Sequence, residues 1–169
     1  MTPRSYLMGW APTAPRPDLG LLLRTIDSMA VVSEVALVQQ AIPWKELLAG
    51  APMDSLLTDR RLLADYLRSK GLEVMFLVDP LDGLDRTRED PGLVAVGRSI
   101  REAEIRALHD RWVLGVAERI HPSFLGLASE INTLAALGDP DLYGAVRTMI
   151  NELGACPSNA AGRVGDATA

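Results

Sequence analysis

The sequence predicts an α/β chain whose strands lie parallel, and three observations carry that expectation. The hydrophobic period switches repeatedly between short continuous apolar runs and longer stretches with helical spacing. Each run is followed by a helix before the next run begins, as crossovers between parallel strands require. Joins from helix to strand are short, whereas joins from strand to helix are long and polar.

The first run, Tyr6 to Ala11, ends at Pro12 and is too short for a helix. From Leu19 the apolar residues fall at Leu19, Leu22, Leu23, Ile26, Met29 and Ala30, one helical face, with Asp18 in the capping position. Val35 to Ile42 is the second run, closing in Gln39 and Gln40 before Pro43-Trp44. A helix is expected over about 58–70, stopped by Gly71 where a left-handed backbone is favoured. Leu72 to Val78 is the third run, ended by Asp79-Pro80. The charged stretch between Asp79 and Gly97 reads as a loop holding at most a turn of helix, and Arg86 and Arg88 read as its solvated face. Next, Ile105, Leu108, Trp112, Val116 and Ile120 mark a long helix, with Ser99 and Glu102 spaced as a capping box and His121-Pro122 at its end. Trp112 falls in the apolar stripe and is expected in the core. Ser123 to Ser129 is the fourth run, and Glu130-Ile131-Asn132 follow it. Asp139-Pro140 open a last helix with Leu142, Val146, Met149, Ile150 and Leu153 on its buried face. Residues 154–169 have no period and read as a disordered tail.

Four βα units of this kind admit an open sheet or the N-terminal half of a (β/α)₈ barrel over residues 1–153, with strands at about 6–11, 35–42, 72–78 and 123–129. A nucleotide-binding open sheet needs a glycine-rich turn, and neither Gly-x-Gly-x-x-Gly nor Gly-Lys-Ser/Thr occurs. The half-barrel is therefore the expected fold; at 169 residues the chain is shorter than the ~250 of a usual whole barrel. In a barrel the strand ends surround one mouth at the carboxyl face. The residues there are Trp10, Gln40 with Trp44, Asp79 with Asp82, and Glu130 with Asn132.

Composition narrows the partners. A net charge of −5 with arginines scattered among carboxylates leaves no basic stripe, so no nucleic acid is expected. No apolar stretch is long enough to span a membrane, and no signal-length run precedes the first strand, so the chain as written reads as cytoplasmic; one whose leader had been removed would read identically. The single cysteine, Cys156, excludes an internal disulfide framework and paired-thiol sites. His109 and His121 are not spaced as a metal pair, so neither metal nor cofactor is expected.

Glu130 is the candidate for general acid work, because alternation along the fourth strand puts it on the interior face at the rim. The competing reading is a helix cap or an arginine partner. Trp10 and Trp44 offer flat indole faces for stacking on sugar rings, against ordinary packing. Asp79 and Asp82 offer oxygens to sugar hydroxyls, against turn chemistry, and Asn132 either positions substrate or steadies its loop.

The segment Phe124-Leu125-Gly126-Leu127-Ala128-Ser129-Glu130-Ile131-Asn132, preceded by His121-Pro122, resembles the fourth-strand signature of clan A glycoside hydrolases, especially the branch of arabinogalactan endo-β-1,4-galactanases. Trp44 and Asp79-Pro80-Leu81-Asp82 also look like that branch. The resemblance covers roughly Leu7 to Leu153 and implies carbohydrate as partner, with Glu130 as acid/base of a retaining mechanism. Two departures accompany it. Ser129 stands where the family has Asn, removing an amide that contacts the sugar 2-hydroxyl, and the nucleophile that the family carries after a seventh strand has no counterpart in these four units. The catalytic set implied is thus incomplete, and three readings stay open: an inactive glycoside hydrolase fragment, a non-catalytic module that binds sugar or pairs with itself or a missing C-terminal half, and a truncated gene product.

Overall fold

The computed structural model describes residues 5–13 and 16–155. Its four strands, β1 (Gly9–Trp10), β2 (Val35–Ala41), β3 (Glu73–Asp79) and β4 (Phe124–Gly126), form one parallel sheet in the order β1-β2-β3-β4. Sequential order, parallel pairing and an alternating helix after each strand make this the expected half of a (β/α)₈ barrel. The helices are α1 (Leu19–Ala30), α2 (Trp44–Leu48), α3 (Met53–Ser69), α4 (Pro91–Ala95), α5 (Ala103–Ile120), α6 (Ile131–Leu137) and α7 (Pro140–Ala155).

Local chemistry sets the boundaries. Asp18 Oδ1 accepts from the Leu21 N–H at 2.9 Å and starts α1. Gly71 takes φ +79° at the end of α3, where a Cβ would be strained, and the next residues enter β3. His121 ends α5 in the left-handed region, and the Arg68 guanidinium donates to the carbonyls of Ile120 and His121, tying that end to α3. Ser99 and Glu102 lie just ahead of α5: Glu102 Oε1 accepts from the Ser99 N–H at 2.7 Å, closing a turn rather than capping the helix. Asp139 Oδ1 accepts from the Asp141 N–H at 2.8 Å at the start of α7.

Alternation along the strands sorts the side chains onto two faces. Ala36 and Val38 of β2 with Val74, Phe76 and Val78 of β3 face the helices and meet Leu67, Trp112, Val116 and Val146 in the core. The other face, the inside of the half-barrel, carries a row aligned by register, Leu37, Met75 and Phe124. β1 and β4 are shorter than the apolar runs that contain them. Each is an edge strand with one neighbour, and the chain leaves β4 right after Gly126. The tail assigned to residues 154–169 falls, from residue 156 onward, outside the described residues.

Candidate functional site

The carboxyl ends of β2 and β3 open into a cleft of about 320 Å³ lined by Gln39, Gln40, Asp79, Leu81, Arg86 and Asp90 among others. Asp79, the last residue of β3, is its centre and is only 5% exposed. Its Oδ2 accepts from Gln39 Nε2 at 3.0 Å, from Ser129 Oγ at 2.6 Å and from the Arg86 guanidinium. Its Oδ1 accepts from the Leu81 N–H at 3.2 Å. One carboxylate thus ties β2, β3, the segment after β4 and the loop after β3.

That loop is built to bring Arg86 back. Leu81 and Glu89 form an antiparallel bridge, the Asp82 N–H donates to the Arg88 carbonyl at 3.1 Å, and the Asp90 N–H donates to the Pro80 carbonyl at 3.2 Å. Asp82 Oδ1 accepts from the Leu84 N–H at 2.8 Å, an Asx turn. Arg86 therefore does not belong to a solvated face, as its charge run suggests: its side chain is mostly buried, paired with Asp79, with Nε 3.8 Å from Glu130 Oε1. Arg88 does remain exposed and pairs with Asp85 at 2.9 Å.

Glu130 stands at the rim, but strand alternation does not put it there, since β4 ends four residues earlier. Its own backbone, at φ 51° in the left-handed region, turns the chain into α6. The side chain makes no capping bond, is 61% exposed, and has Arg86 as its neighbour.

The remaining candidates divide. Gln40 lines the cleft, although Gln39 makes the bond to Asp79. Trp10 is corrected from a mouth residue: exposed on the edge strand β1, it pairs with Ala36 near the start of β2, well short of the carboxyl end where the cleft lies. Asn132 is exposed on the first turn of α6, and Asp82 is held in its turn. Trp44 is corrected from stacking platform to core: at 1% exposure it begins the short helix α2, which packs against α4, and it offers no ring face to a ligand. Trp112 is in the core as expected, with the Arg60 guanidinium 5.0 Å from its ring centre.

Asp90 closes the floor and caps α4, accepting from the Gly92 and Leu93 N–H groups at 2.8 and 3.2 Å. Burial pushes its carboxyl above the usual range; those two N–H groups pull it back, and the charges of Asp82 and Asp79 raise it further. The folded chain therefore holds this proton more tightly than the unfolded chain. The group's contribution to stability is complete below the unfolded carboxyl pKa and is lost as pH rises through the raised folded value. Asp90→Asn keeps a capping oxygen and removes the ionisation. It is expected to be more stable than the natural chain at neutral pH, with the advantage vanishing at acidic pH, as urea unfolding at the two pH values would show.

Among the described residues no group of three or more His, Cys, Asp or Glu side chains is arranged to hold a metal ion, and no helix is long and apolar enough to cross a membrane. No protein-family model matches the chain, and no curated protein does. Among solved structures it is similar to the crystal structure of a GH5_18 variant, a clan A glycoside hydrolase, from Bifidobacterium longum subsp. longum in complex with the disaccharide Manβ1-4GlcNAc. The TM-score is 0.63 at 14% identity, over 81% of this chain and 35% of that one. The likeness establishes a shared fold, and the chain spans about a third of the length of that barrel enzyme.

Proposed function

We propose that this chain is the N-terminal half of a glycoside hydrolase-like barrel that binds carbohydrate at its mouth, with Glu130 as the acid/base group. The observation that carries the reading is the position of the Glu130 carboxylate. It lies beside the cleft, next to Arg86, which Asp79 holds in place. The fold shared with an enzyme bound to a disaccharide supports a β-linked oligosaccharide as ligand. Gln40 and the accessible edge of Arg86 are assigned as hydroxyl partners and Asn132 as a contact beyond Glu130. Asp79 and Asp82 act indirectly, by holding the cleft and its loop.

A retaining mechanism needs a second carboxyl group about 5 to 5.5 Å from the first across the scissile bond. The resemblance to the galactanase branch puts that group after a seventh strand, beyond these four units. These four units are accordingly assigned carbohydrate binding and acid assistance, the covalent step needing the second carboxyl group.

Calorimetry with Manβ1-4GlcNAc and with β-linked galacto-oligosaccharides tests this. Millimolar binding to at least one is expected, weakened about fivefold in Gln40→Ala, the worth of one neutral hydrogen bond of about 1 kcal/mol. Any slow hydrolysis of an aryl β-glycoside is expected to disappear in Glu130→Gln. Binding with no hydrolysis would leave the non-catalytic module as the reading, and absence of binding across the panel would contradict both.

A further inference from the structure

Among the described residues two that are not glycine hold a left-handed backbone, His121 at φ 49° and Glu130 at φ 51°. A side chain is crowded in that region, so such a residue persists where its surroundings hold it. At His121 the holding group is a side chain from another helix: the His121 carbonyl accepts from Arg68 Nη2 at 2.9 Å. At Glu130 the carbonyl accepts from the Thr133 N–H at 2.9 Å, which closes the first turn of α6, and the side chain makes no capping bond. The anchor to the rest of the molecule is the residue before it. Ser129 Oγ donates to Asp79 Oδ2 at 2.6 Å across 50 positions of sequence. Among the described residues this is the one hydrogen bond from residues 127–130 to the sheet or to the loop after β3.

We propose that Ser129 is the positioning residue of Glu130: its hydroxyl, fixed on the buried Asp79, sets the left-handed turn that aims the Glu130 carboxylate at Arg86. The contacts form a closed ring. Asp79 accepts from Ser129 and from the Arg86 guanidinium on the same oxygen, Oδ2, and Arg86 Nε lies 3.8 Å from Glu130 Oε1. A single peptide bond then returns from Glu130 to Ser129. Glu130 is thus constrained at both ends, its backbone through Ser129 and its carboxylate through Arg86, with Asp79 as the common fixed point. An exposed carboxylate is held weakly by one ion pair, so the placement of this one depends on the backbone beneath it. The hydroxyl is the group that matters at position 129: alanine has nothing to donate to Oδ2, and threonine keeps the donor. The consequence for chemistry rests on the reading of Glu130 as the acid of the site, whereas the positioning itself rests on the ring.

NMR spectroscopy on the full chain tests this. A left-handed residue sets its amide proton close to its own α proton, so Glu130 and His121 should each give a strong intraresidue Overhauser signal. In Ser129→Ala the Glu130 signal should weaken to that of an ordinary residue, and Ser129→Thr should keep it. The His121 signal should stay in both variants, which also shows that they are folded. Coupling gives a second readout: Glu130→Gln, which moves the Arg86 Nε resonance in the natural chain, should leave it unmoved in the Ser129→Ala background, where the carboxylate has already left. A Glu130 signal unchanged in Ser129→Ala would overturn the proposal, as would a loss that Ser129→Thr shares or an Arg86 shift that is the same in both backgrounds. Calorimetry with Manβ1-4GlcNAc on the same samples reads the carbohydrate claim separately. The expected Overhauser pattern without sugar binding would uphold the positioning and contradict the carbohydrate reading; sugar binding with an unchanged Glu130 signal would do the reverse.

Discussion

Asp79→Ala is expected to destabilise the chain by about 3–5 kcal/mol, the cost of removing one partner from a buried ion pair and stranding the other. Three side chains and one backbone N–H converge on this carboxylate, and the Arg86 side chain that it neutralises is itself only 13% exposed. Alanine leaves Arg86 with the looser contact to Glu130 and leaves Gln39 and Ser129 without their acceptor. Asp79→Asn retains an oxygen for Gln39, Ser129 or Leu81 but gives Arg86 no charge, so it should fall between the natural chain and alanine. Urea unfolding of the three proteins checks the order. A cost for alanine near that of an ordinary surface substitution would mean that the cleft does not depend on this hub.

Trp44→Ala should cost about 3–5 kcal/mol, as expected for emptying a buried aromatic site. Trp44→Phe should cost less than about 1.5 kcal/mol, because it keeps an apolar ring in the site. It also removes an indole N–H that is buried without a hydrogen-bond partner in the structure, which offsets part of the lost volume. If Trp44 were instead a stacking platform, both substitutions would spare stability and alanine would weaken sugar binding. Thermal unfolding and calorimetry on the same variants separate the two roles.

The sequence shows the sheet because the information is local. Val35 to Ile42 and Leu72 to Val78 are apolar enough to be strands, and Asp18, Gly71 and Asp139-Pro140 mark helix ends by rules that involve neighbours within a few residues. Strand order follows from sequential parallel connection, and the fourth-strand motif points to Glu130. What stays hidden depends on the chain folding back. Arg86 reads as loop charge because nothing within its turn shows that it returns seven residues to cover Asp79, although an acid at a strand end with an arginine later in the same loop is a usable signal for such closure. Gln39 and Gln40 are indistinguishable until register places Gln39 on the inner face beside β3. Trp44 looks like a rim aromatic because α2 and α4 are each only five residues long, below the length at which helical period shows, and their mutual packing is what buries the indole. Glu130 comes beside Arg86 through something that alternation does not contain, a single left-handed residue after a three-residue strand.

The claim on which the functional reading turns is that the Glu130 carboxylate sits against the Arg86 guanidinium at the mouth. The Arg86 Nε resonance in nitrogen-edited NMR spectra reports it directly. In Glu130→Gln this resonance should shift, while that of Arg68, whose guanidinium binds the backbone carbonyls of Ile120 and His121 below β4, should stay fixed. An unmoved Arg86 signal would put Glu130 away from the cleft and contradict its assignment as the acid of the site.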